Sequence, residues 1–142
     1  MDWEECNKKR FVKRIIIDKK LVKSLIESSK DRFVSASLLD LNEVTSSSII
    51  ILYYDSLREL LEALAIRNKY KIYNHECYTC FLKEILREEE LSQKYDRIRK
   101  IRNSINYYGK KLSIDESKIV INDIKELIEK SKKLLNINFR IR

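Results

Sequence analysis

Apolar residues recur three and four positions apart along most of this chain, with polar residues between them, the pattern of helices that each bury one stripe. The clearest stripe is Leu91, Tyr95, Ile98, Ile101, Ile105 and Tyr108. Asp18 stands where an N-cap belongs, ahead of Leu21, Val22, Leu25, Ile26, Phe33 and Ala36, so a helix is predicted from there towards Leu39. Its small residues, Ser28, Ser29, Ser35, Ala36 and Ser37, would let a neighbouring helix approach closely. After a polar break between Asp40 and Ser47 comes the most apolar helix, from Ile49 to Arg67, with Tyr53, Leu57, Leu60, Leu61 and Leu64 facing inward and Arg58, Glu59 and Glu62 outward. Tyr53 and Tyr54 on this helix read as packing groups.

Asn68 is expected to end that helix in the left-handed conformation, which asparagine tolerates. Asn74 then caps a helix whose face is Tyr78, Phe81, Leu82 and Ile85. Gly109 closes the Leu91 to Tyr108 helix with a left-handed cap, and Ser113 with Glu116 forms a capping box for the last helix. Ile119, Val120, Ile124, Leu127, Ile128, Leu134 and Leu135 give that helix its buried side. The tail from Asn136 to Arg142 is short and basic.

The chain has 142 residues, no proline and one glycine, which leaves one domain with few tight hairpins. An all-α, up-and-down antiparallel bundle of about five helices follows, because neighbours joined by short connections pack side by side. The bundle is expected over 18–142, preceded by an N-terminal arm, 1–17. The arm should hold a short turn of helix near Asp2 to Asn7 and then the β-branched basic run Arg10 to Ile17. That run would be adhesive if bare, so it should lie along the body of the domain or across a partner subunit.

Thirty basic against 22 acidic residues give a formal charge of +8, which favours anionic partners: RNA, DNA, acidic protein or anionic lipid. No apolar run reaches bilayer length and the N-terminus lacks a signal-peptide pattern, so a soluble cytoplasmic protein with no membrane association is expected. Cys6, Cys77 and Cys80 are an odd number, and reduced thiols are the expectation. Cys77-Tyr78-Thr79-Cys80 has zinc-pair spacing but no second Cys/His pair, so no metal site and no cofactor are expected.

Candidate chemistry gathers between Arg97 and Lys111. Arg97, Arg99, Lys100, Arg102, Lys110 and Lys111 supply charge, while Tyr107 and Tyr108 offer rings for base stacking. Such a run reads either as a solvated basic face or as a phosphate or RNA contact surface. At about 100° per residue, Arg102 falls inside the apolar sector, where a guanidinium needs a partner. Asn106, four residues on, faces the same way.

The helix order, the Asn74-His75-Glu76 helix start, and Arg102-Asn103 followed by Tyr107-Tyr108-Gly109 resemble the HEPN superfamily, particularly its small stand-alone archaeal members. The resemblance runs from about Asp18 to Leu135. It implies a helical bundle that forms a homodimer with the motifs of both chains in one cleft. It also implies one of three roles: binding RNA or a nucleotide, partnering a minimal nucleotidyltransferase in a toxin-antitoxin-like pair, or metal-independent endoribonuclease activity. Arg102 matches the motif arginine and Asn103 the polar residue after it, while Tyr107 stands where the motif histidine would be. Tyrosine is a poor base at neutral pH, so catalysis by Arg102, Asn103 and Tyr107 is expected to be weak or lost while anion binding is kept. The expected binding surface is Arg97, Arg99, Arg102, Asn106, Tyr107, Tyr108 and Lys110. His75, the one histidine, is read as a structural residue at a helix start rather than as the missing base.

Overall fold

The computed structural model describes residues 1–139. A short helix α1 (Trp3–Lys8) and strand β1 (Val12–Arg14) lead into α2 (Lys19–Ser37) and α3 (Ser46–Arg67). Strand β2 (Tyr70–Ile72) precedes α4 (His75–Cys80), which runs on as a π-helical segment (Phe81–Ile85), and the chain closes with α5 (Glu89–Tyr108) and α6 (Ile114–Leu135). The protein is an all-α helical bundle carrying one two-stranded ribbon.

Helix α3 is the axis of the bundle, with α2 and α6 packed against it. Leu60, Leu61, Ala63, Leu64, Ala65 and Ile66 are all buried, so apolar surface goes all round this helix rather than along one stripe. Glu59, expected to face solvent, is 4% exposed and pairs with Arg32 of α2. A buried carboxylate is tolerable there because the guanidinium comes with it. The small residues of α2 act as expected at one position. Ser29 Oγ donates to the Ser56 carbonyl at 2.7 Å, and Ser56 Oγ donates to the Ser29 carbonyl at 2.8 Å.

The caps follow local chemistry. Asp18 accepts from the Leu21 N–H, Asn74 from the Glu76 N–H, and Ser113 forms the full capping box with Glu116. Gly109 has φ 61°, the left-handed cap. At the end of α3 the left-handed residue is Lys69, at φ 68°, and not Asn68. Asn68 stays at φ −93° and turns its side-chain amide back onto the Leu64 carbonyl at 2.8 Å, satisfying a helix-end acceptor instead. Three other apolar positions depart from their stripes: Tyr108, Ile119 and Leu134 are exposed. Tyr108 is the last residue of α5, and burial along that stripe ends at Ile105.

Residues 1–17 fold back on the body of the bundle. β1 pairs antiparallel with β2, Val12 opposite Ile72, and the Ile15 N–H donates to the Lys69 carbonyl while the Tyr73 N–H donates to that of Phe11. The connector after α3 is therefore half of a ribbon, and Ile16 beyond it is left exposed. The ribbon sets α1 against α4, where Cys6 and Cys77 form a disulfide with Cα atoms 6.0 Å apart. This corrects the expectation of three reduced thiols. The two residues are 71 positions apart, and the ribbon together with Trp3 packed on Tyr70 and Phe81 brings them together, while Cys80 is free and buried. Among the described residues no helix is long and apolar enough to cross a membrane.

Candidate functional site

Helix α5 carries its charges on two sides, because residues three, four and seven apart share a face and residues two apart do not. Arg97 and Lys100, with Ile101, Ser104, Lys110 and Leu112, line a shallow hollow of about 210 Å³. Arg97 is committed there to Asp123 of α6 at 3.0 Å. Arg99, Arg102, Asn103 and Asn106 lie on the other side, towards α3 and α4. The expected binding surface is thus divided, with Tyr107 and Tyr108 in the last turn of α5, 71% and 84% exposed.

On the α3 and α4 side, the half-buried Arg102 sets its guanidinium carbon 5.2 Å from the centre of the Tyr54 ring. With the Asn106 carboxamide oxygen turned to the guanidinium, Arg102 Nε and Nη2 donate to it at 3.1 and 3.2 Å. Asn103 Oδ1 stands 3.5 Å from Nη1. The pairing of Arg102 with Asn106 anticipated from their spacing is present, and the ring beneath them is a partner the spacing did not suggest.

The neighbouring arginines have carboxylates of their own. Arg99 Nη2 donates to Asp96 Oδ1 at 2.8 Å, and Lys100 and Thr79 also hold that carboxyl. Arg58 of α3 pairs with Glu62 at 2.9 Å, and Lys71 of β2 reaches the same carboxyl at 2.7 Å. Burial works to raise the Glu62 and Asp96 pKa values, but hydrogen bonds from these cations overcome it and hold both below the usual carboxylate range. Arg102 forms no ion pair among the described residues. It is the arginine of this cluster whose charge the fold leaves unmatched.

His75 enters the same cluster from the first turn of α4. Its Nδ1 lies 3.0 Å from the Tyr54 hydroxyl, which lies 3.1 Å from the Tyr95 hydroxyl, and Tyr95 donates to the His75 carbonyl at 3.3 Å. Burial lowers the His75 pKa to about 4, with Arg58, Arg102 and Arg99 pushing the same way, so the ring is neutral at neutral pH. Burial also raises the pKa of Tyr54 and of Tyr95, so both phenols keep their protons.

Tyr54, Tyr95 and Arg58 belong to the site although the sequence suggests packing or solvent for each. The one available signal is a pair of inward tyrosines on two helices beside the start of a third that carries the sole histidine. Chemically the arrangement offers a fixed cation, a neutral imidazole and hydrogen-bonding amides, a set suited to holding an anion. Tyr107 is 71% exposed and its phenol forms no hydrogen bond with Arg102 or His75. No protein-family model matches the chain, and no curated protein matches its sequence.

Proposed function

We propose that this chain is a HEPN-type protein that forms a homodimer and binds RNA or a nucleotide through phosphate contacts at Arg102, with cleavage weak or absent. The observation that carries this reading is the half-buried Arg102 held by Asn106 and the Tyr54 ring with no carboxylate partner. A guanidinium placed at that cost and left uncompensated is completed by an anion, and phosphate accepts its planar fork in two bonds. The formal charge of +8 draws a polyanion to such a site over a longer range. Weak or absent cleavage rests on the departure at Tyr107, an exposed phenol where the motif has its histidine, and on His75, whose low pKa makes it a feeble base.

The test is single-stranded RNA binding as a function of salt. Arg102→Ala should weaken binding and lower the slope of log affinity against log salt by about one contact. Unchanged affinity and slope would overturn the proposal. The mass in solution tests the dimer.

A further inference from the structure

We infer that His75 makes the Arg102 site selective for ribose: its Nε2 accepts a hydrogen bond from the 2′-hydroxyl of the nucleotide whose phosphate Arg102 holds. The inference rests on the phosphate-binding reading above and concerns which nucleic acid the same site takes.

The proton positions in the cluster follow from its hydrogen bonds. Three donors and three acceptors close a cycle if His75 Nδ1–H donates to Tyr54, Tyr54 to Tyr95, and Tyr95 to the His75 carbonyl. Each proton then has one acceptor, whereas the opposite tautomer leaves the Tyr95 proton shared between two oxygens. This assignment comes from satisfying the network. It leaves Nε2 as a bare lone pair. Nε2 makes no hydrogen bond within the protein, and no buried side-chain nitrogen or oxygen among the described residues lacks a partner, so Nε2 reaches solvent. The low pKa keeps that lone pair available at neutral pH and makes it a hydrogen-bond acceptor more than a base.

The His75 ring centre is 6.0 Å from that of Tyr54, and the Arg102 guanidinium carbon is 5.2 Å from the same centre. The two groups are therefore no further apart than those lengths laid end to end, within reach of one nucleotide. Around His75 stand the Tyr78 ring, 6.3 Å away centre to centre, and the cations Arg58 and Arg99, already paired with Glu62 and Asp96. A cluster rich in donors selects phosphate, and the open acceptor at Nε2 selects a hydroxyl. The 2′-hydroxyl is the group that distinguishes RNA from DNA.

Fluorescence anisotropy with a single-stranded RNA, its 2′-deoxy counterpart and its 2′-O-methyl counterpart, all of one sequence, tests this at pH 7. The wild-type protein should prefer the RNA to both analogues by roughly five- to tenfold, the factor one neutral hydrogen bond carries. His75→Asn keeps an amide where Nδ1 meets Tyr54 and removes Nε2, and should bring the preference to near unity. His75→Gln restores an acceptor near the Nε2 position and should recover part of it. Measurements on the wild-type protein alone remain decisive if the variants are unstable, because a methylated oxygen has no proton to give. Equal wild-type affinity for the three oligonucleotides, with Arg102→Ala weakening all of them, overturns the His75 assignment and leaves the phosphate site standing. Affinities that Arg102→Ala leaves unchanged overturn the phosphate site and this inference with it.

Discussion

The guanidinium of Arg102 lies 5.2 Å from the centre of the Tyr54 ring, and the hydroxyl of that ring lies 3.0 Å from His75 Nδ1. One buried tyrosine thus joins an arginine of α5 to a histidine of α4. Its aromatic face meets the cation and its polar end holds the imidazole.

Asn106→Ala should weaken RNA binding about three- to tenfold while leaving the salt slope unchanged, because it frees the guanidinium without removing its charge. Arg102→Ala differs by lowering the slope as well. Binding titrations over a salt series separate the two effects, and equal slopes for both variants would contradict the role given to Asn106.

His75 gives the protein a pH-dependent stability. Its folded pKa of about 4 lies below the ordinary value of 6.5, so the unfolded chain takes up a proton at a pH where the folded chain does not. The contribution is whole above about pH 6.5 and is lost as pH falls towards 4. The lowered carboxylates of Glu62 and Asp96 lose their contribution as pH falls through their ordinary values of 4.5 and 3.8, at more acidic pH. Urea midpoints should fall between pH 6.5 and 5 in the wild-type protein and stay flatter in His75→Asn.

Unfolded without reductant, the protein should show one reactive thiol, Cys80, and three after reduction. Folded, Cys80 should react slowly, since burial raises its pKa and depletes the thiolate. Closing a loop across 71 positions stabilises by roughly 4 kcal/mol in the chain-entropy model, so reductant or Cys6→Ser should lower the denaturation midpoint markedly. Three reactive thiols in unreduced, unfolded protein would show that the bond does not form.

Ser29→Ala and Ser56→Ala should each destabilise by about 1–3 kcal/mol, because either change leaves a buried partner short of a hydrogen bond. The double variant should cost less than the two together, because the hydroxyl oxygens lie 2.9 Å apart and each single variant leaves the other serine beside the vacated space. Additive losses in a double-mutant cycle would show that each serine acts alone.

Helices and their ends were largely written in the sequence because they depend on neighbours three or four residues away. Asp18, Asn74, Ser113 with Glu116, and Gly109 each satisfy or release a backbone group within their own turn. The Arg102 and Asn106 pair was readable for the same reason. Where local alternatives were close, the sequence was ambiguous: Asn68 offered the left-handed turn, but its side chain did more as a hydrogen-bond donor and Lys69 took the turn.

What only the tertiary structure decided involves groups far apart along the chain. The Cys6–Cys77 bond, the β1–β2 ribbon, the burial of Glu59 against Arg32, and the closed cycle of His75, Tyr54 and Tyr95 each join distant segments. Periodicity marks which face of a helix is buried but not which residue it meets there, since that depends on the order and register in which the helices pack. Sequence alone therefore determined a helical bundle with a basic helix from Leu91 to Tyr108 bearing an inward arginine. Packing decided that this arginine would share Tyr54 with the single histidine, because α3, α4 and α5 converge at that point.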